Sequence, residues 1–129
     1  MKKLRRRLGF TLLELLIALL VISTGATATV EAIRYAHGVN IRARYQLYAL
    51  AVAQSTIESA KAATTRTAGT VVIASLNGLP SGSTGSVTYT IDATRTNLWT
   101  VQVVVAWTAG GRLGNLSGSV TLETQVYGP

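Results

Sequence analysis

The sequence predicts an α+β chain: one long N-terminal α-helix packed on a small C-terminal antiparallel β-sheet. Three observations predict it. Residues 10–22 are almost wholly apolar, and no proline occurs between Met1 and Leu79. From about residue 30 to 63 the composition stays helix-forming, rich in Ala, Leu, Arg, Gln and Glu. Beyond that, β-branched and aromatic residues alternate with polar ones between Gly- and Ser-rich connections. With 129 residues there is room for one small domain. We expect a leader at 1–9, a hydrophobic helix at 10–29 and a soluble head at 30–129, the head divided into a helix at 30–63 and a sheet region at 70–127.

The leader comes first. Lys2, Lys3, Arg5, Arg6 and Arg7 are five of the twelve basic residues. Without them seven basic residues face five acidic ones, and the formal charge falls from +7 to +2. The excess charge is therefore local, and a basic nucleic-acid-binding surface is not the first reading. There is no cysteine, which excludes disulfides and thiolate metal sites. One histidine and five carboxylates leave few candidates for metal or acid–base chemistry.

The apolar helix follows at once. Residues 10–29 give about 30 Å of helix, enough to span a bilayer. The basic leader predicts a cytoplasmic N-terminus. A basic stretch before an apolar run also resembles a secretory signal, and Ala26-Thr27-Ala28 is an A-x-A-like cleavage site. Glu14 argues against that reading, because it interrupts the apolar run. A carboxylate at the centre of a membrane helix costs about 2.5–3.5 kcal/mol, less near an end, and is usually paired and functional.

Gly9-Phe10-Thr11-Leu12-Leu13-Glu14-Leu15-Leu16-Ile17-Ala18-Leu19-Leu20, behind a basic leader, resembles the prepilin N-terminus of type IV pilins and type II secretion pseudopilins. The resemblance implies the pilin fold. It implies that a prepilin peptidase cuts between Gly9 and Phe10 and N-methylates Phe10. It also implies that Glu14 pairs with the N-terminal amine of a neighbouring subunit in a filament. Many pilins carry a proline about 21 residues after the mature N-terminus. Here that position is Glu31, so any helix break on assembly rests on Gly25, Gly38 and the Thr-rich run between 23 and 29.

In the second half of the helix, Ala43, Leu47, Leu50, Ile57 and Ala60 recur at helical spacings, which predicts an apolar stripe facing a sheet. Arg42, Arg44, Gln46, Ser55, Glu58 and Lys61 lie off it. His37 reads as a surface residue, and Arg34, Arg42 and Arg44 as a solvated face. The run from Leu50 to Ala60 is similar to minor pilins of the PilV type and to minor pseudopilin I.

The sheet region begins after a loop at 64–69. Residues 71–74 read as a short strand or a buried loop, and 77–85 as a loop. Strands are predicted at 86–92, 99–107 and 117–126. Val87, Tyr89 and Ile91 share one face, as do Trp99, Val101, Val103, Val105 and Trp107, and then Val120, Leu122, Thr124 and Val126. Residues 97–98 and 109–115 are connections. The pattern predicts an antiparallel meander with one apolar face. Its Trp-ending strand and the Val-Thr-Leu-Glu-Thr strand after it also resemble the minor-pilin class. Major pilins often staple a C-terminal loop with a disulfide, which this chain cannot form.

No nucleophile elbow or phosphate-binding loop is present. Asp92 and Glu123 are expected on neighbouring strands as exposed carboxylates and carry no hydrolytic reading. The sequence therefore reads as a non-enzyme without cofactor or metal, a minor pilin or pseudopilin that initiates, caps or modifies a pilus or pseudopilus. The implied partners are a prepilin peptidase, other pilin subunits, an inner-membrane assembly platform and, before assembly, membrane lipid. Its expected location is the bacterial inner membrane, then a periplasmic or surface filament. Two alternatives remain: a DNA-binding minor pilin of a competence machine, with nucleic acid as a less favoured partner, and a simple secreted or signal-anchored envelope protein.

Overall fold

A computed structural model of the chain describes residues 10–95, 97–110 and 115–128. It contains one helix, α1 (Leu12–Ala62), and four strands, β1 (Gly69–Val72), β2 (Thr84–Ile91), β3 (Leu98–Ala109) and β4 (Leu116–Tyr127). This is the α+β class the sequence predicts. Two compact units are present, Met1–His37 and Gly38–Pro129. The second holds the last part of α1 and the whole sheet.

In the second unit the sheet is a four-stranded meander of order β1-β2-β3-β4, every neighbouring pair antiparallel. The predicted faces are those observed. Val101, Val103, Val105 and Trp107 of β3 are buried to 0–1% exposure. Val87 of β2 joins them, and Val120, Leu122 and Val126 of β4 pack beside them. Ser119, Thr121, Glu123 and Gln125 point the other way and are exposed. The first strand, read ambiguously from sequence as 71–74, is Gly69–Val72 and is exposed throughout. Leu98, expected in a connection, opens β3 and is buried.

The helix meets this sheet with small residues. Ala49, Ala53 and Ile57 recur every four residues, Ala60 follows three later, and all four are buried in the sheet's core cluster. Tyr45 extends the row one turn back and lies 5.4 Å, centroid to centroid, from the Trp107 ring. The stripe predicted from Ala43 and Leu47 is thus out of phase. Both residues are exposed, and Leu47 is two-thirds accessible. Ile57 and Ala60 do face the sheet, Leu50 is half-buried, and the polar set from Arg42 to Lys61 is exposed. The helix side of this core is thus built mainly of alanine, against valine and tryptophan from the sheet.

Two side chains fix the connections. The Arg66 guanidinium donates to the carbonyls of Ala60 and Lys61 at 3.0–3.3 Å, satisfying orphan acceptors where α1 ends. Asp92 holds the β2–β3 turn: its Oδ1 accepts from the Thr94 hydroxyl (2.7 Å), the Thr94 amide (2.8 Å) and the Arg95 amide (2.9 Å). These bonds, that from the Thr94 side chain foremost, hold its carboxyl below the ordinary value of 3.8. The folded state therefore favours the ionised form. The turn's contribution should be fully present above the unfolded value and fade as pH falls through the lowered one. Urea unfolding across the acid range should show this fade, and Asp92→Asn should remove it. Asp92 is not beside Glu123, contrary to the sequence expectation: β3 separates β2 from β4, and Glu123 stands opposite Gln102.

Candidate functional site

The predicted site residues lie at the start of α1. Gly9 falls outside the described residues. Phe10 and Thr11 precede the helix, and Phe10 is exposed. Thr11 is the N-cap: its hydroxyl accepts the Glu14 amide at 3.3 Å, and its carbonyl accepts the Leu15 amide at 3.2 Å. Glu14 therefore sits at the third helical position, in the Thr-x-x-Glu spacing of a capping box. Sequence reasoning singled out Glu14 and missed Thr11, although that spacing was the available signal. Glu14 is the acidic residue of the first turn, where the positive end of the helix favours an anion. Its carboxylate is exposed and has no ion-pair partner among the described residues.

Behind the cap, Leu12, Leu13, Leu15, Leu16, Ile17, Leu19, Leu20, Val21 and Ile22 are all more than half exposed. These positions circle the helix, and an all-round apolar helix needs an apolar environment. By length and composition α1 is able to cross a membrane. Glycine and hydroxyl residues follow at 23–29, and their hydroxyl donors are met within the helix. Ser23 donates to the Leu20 carbonyl at 2.9 Å, and Thr24 to Leu20 and Val21 at 3.0 Å. Thr27 donates to Ser23, and Thr29 to Gly25, each at 2.9 Å. Such back-bonding makes hydroxyls tolerable in lipid or in a protein core. Charge reappears only at Glu31, which pairs with Arg34 at 3.0 Å on the exposed helix surface.

Among the described residues no group of three or more His, Asp or Glu side chains gathers into a metal-binding cluster. The second unit has a cleft of about 280 Å³ lined by Ile41, Arg44, Tyr45, Tyr48 and Gly78. Gly78 has a φ of +83°, and a Cβ there would meet the Tyr48 ring at 3.1–3.3 Å, so glycine satisfies both the turn and the contact. The lining has a guanidinium and two phenols and no carboxylate.

An exposed apolar helix, capped by threonine, with a carboxylate in its first turn, is the geometry on which a sequence comparison bears directly. Residues 4–30 match the prokaryotic N-terminal methylation motif. The match takes in Arg5, Arg6 and Arg7 of the leader, Gly9, Phe10, Glu14 and the whole apolar segment. The match is confined to the N-terminal part of the chain, and the description of the motif names N-terminal methylation. No curated protein and no solved structure matches the chain.

Proposed function

We propose that the chain is a pilin- or pseudopilin-type structural subunit. It is held first in the inner membrane with its N-terminus in the cytoplasm. It is then cut between Gly9 and Phe10, methylated at Phe10, and assembled laterally into a filament through residues 10–29. The match of residues 4–30 to the methylation motif carries this reading. The exposed, all-round apolar start of α1 supports it, because such a surface must be covered by lipid or by neighbouring helices.

Glu14 has the assembly role in this proposal. Cleavage creates a cation at Phe10, and a carboxylate one helical turn on is placed to neutralise the amine of an adjoining subunit. The finer reading is a minor subunit that initiates, caps or modifies the filament, and it rests on the resemblance of 50–60 and 99–126. A DNA-binding role draws less support. Arg34 is paired with Glu31 and Arg66 is engaged at the end of α1, which leaves scattered cations.

Intact-mass measurement of the chain from membranes tests the proposal. The expected species lacks residues 1–9 and carries one methyl group on Phe10. A retained leader, or a mature chain beginning near Thr29, would sink it. Abundance relative to a major subunit in sheared filaments tests the minor role.

A further inference from the structure

The sheet has two edges, and they are not alike. β1 is four residues long, and shortness is one of the ways proteins protect an edge. β4 is twelve residues long. It is bonded to β3 alone, so one row of its backbone amides and carbonyls is unpaired within the sheet. It contains no Pro, Lys or Arg, and its single charge is Glu123. Of the usual sequence devices that blunt an edge, it has only this one charge. Its apolar row is also unfinished. Val120, Leu122 and Val126 are only partly buried, whereas the adjoining β3 row is at 0–1%. The chemistry that completes such an edge is another strand, apolar on the core face and polar on the outer face.

We propose that β1 of a second copy docks on the β4 edge. The inference rests on the filament reading above, in the form where copies of this chain stand side by side and not singly as a minor subunit. A filament grows by heterologous contacts, in which one surface of a subunit meets a different surface of the next; a two-fold contact closes after a single pair. The meander suits the heterologous case. Its four strands alternate in direction, so β4 runs opposite to β1. A copy displaced sideways without turning therefore brings its β1 antiparallel to β4.

The faces match as well. Val71 shares a register row with Val87, Val103 and Leu122, so it would extend the apolar face. Val72 shares the outer-face row of Ser86, Val104 and Thr121. Val71 and Val72 are 58% and 76% exposed, a large accessibility for valines in a strand. β1 carries no charge to oppose Glu123, so no like-charge pair arises across the contact.

The absence of native cysteine makes the test direct. Val72→Cys and a series on the outer face of β4 (Ser119→Cys, Thr121→Cys, Glu123→Cys, Gln125→Cys) are made in the full chain and oxidised in native membranes. The two edges lie three strand spacings apart, about 14 Å. That exceeds the roughly 7 Å reach of a disulfide, so bonds within one molecule are excluded. Chains carrying both cysteines should form a ladder of dimers, trimers and longer species. A mixture of the two single variants should give only the mixed dimer. Dimers from a single β4 cysteine without a ladder would overturn the proposal in favour of a two-fold edge. Absence of cross-links in a chain correctly processed at Phe10 would overturn it and leave the filament reading standing. Retention of the leader, read by mass on the same sample, would overturn both.

Discussion

Replacing Trp107 with alanine is expected to destabilise the second unit by about 3–5 kcal/mol, the usual range for removing a buried tryptophan. A small domain has only about 5–15 kcal/mol in total, so the variant should be largely unfolded well below the wild-type urea midpoint. Trp107 ends the buried row of β3, packs against the tilted ring of Tyr45 and lies directly opposite Gly118 of β4. Its indole occupies the place where a side chain at 118 would be: a Cβ there would stand 2.5 Å from Cζ2. Gly118→Ala should thus cost about 1–3 kcal/mol through overpacking. The two effects should not add. With Trp107 already alanine, the methyl at 118 has room, and Gly118→Ala should be nearly neutral. Trp99 remains as a fluorescence probe in every variant. Full additivity in the double mutant would show that the indole does not rest on Gly118.

Glu14→Ala is expected to leave membrane insertion intact and to abolish efficient incorporation into filaments. Removing one partner of a buried ion pair typically costs about 3–5 kcal/mol. That corresponds to a loss of roughly a hundredfold to several thousandfold in the assembly equilibrium. In the monomer Glu14 is exposed, and the alanine variant keeps the Thr11 hydroxyl bond to the backbone amide, so the helix start should survive. The readouts are the amount of subunit in sheared filaments and in the membrane fraction. Normal filament content of the variant would remove Glu14 from the assembly role. Glu14→Gln separates charge from shape and should fail as the alanine variant does.

These two sites differ in how plainly the sequence announces them. Glu14 stands out because a lone carboxylate in an apolar run has no cheap explanation. The strands were legible because Val101, Val103, Val105 and Trp107 alternate strictly with residues of the other face. β1 was not, since a four-residue strand exposed on both faces has no alternation to show. The helix stripe was placed out of phase for a physical reason. Leu47 has the larger side chain and attracts the pattern, while the buried positions are the small Ala49, Ala53 and Ala60, which a search for large apolar residues passes over. Likewise the partnership of Trp107 with Gly118 depends on cross-strand register, which no local window of sequence contains.

The back-bonded hydroxyls at 23–29 have one more consequence. A segment whose hydroxyl donors are already bonded to its own backbone carries no free side-chain donor into hydrocarbon, water or packed protein. Its transfer among these media exchanges few hydrogen bonds, so it adds little to the barrier for leaving a bilayer. Partitioning is decided instead by the large side chains of residues 10–22, at about 1.5–3 kcal/mol for each one fully covered. The helix thus divides into a part that chooses its medium and a part indifferent to it, and the indifferent stretch can ride across a boundary wherever the first part is drawn.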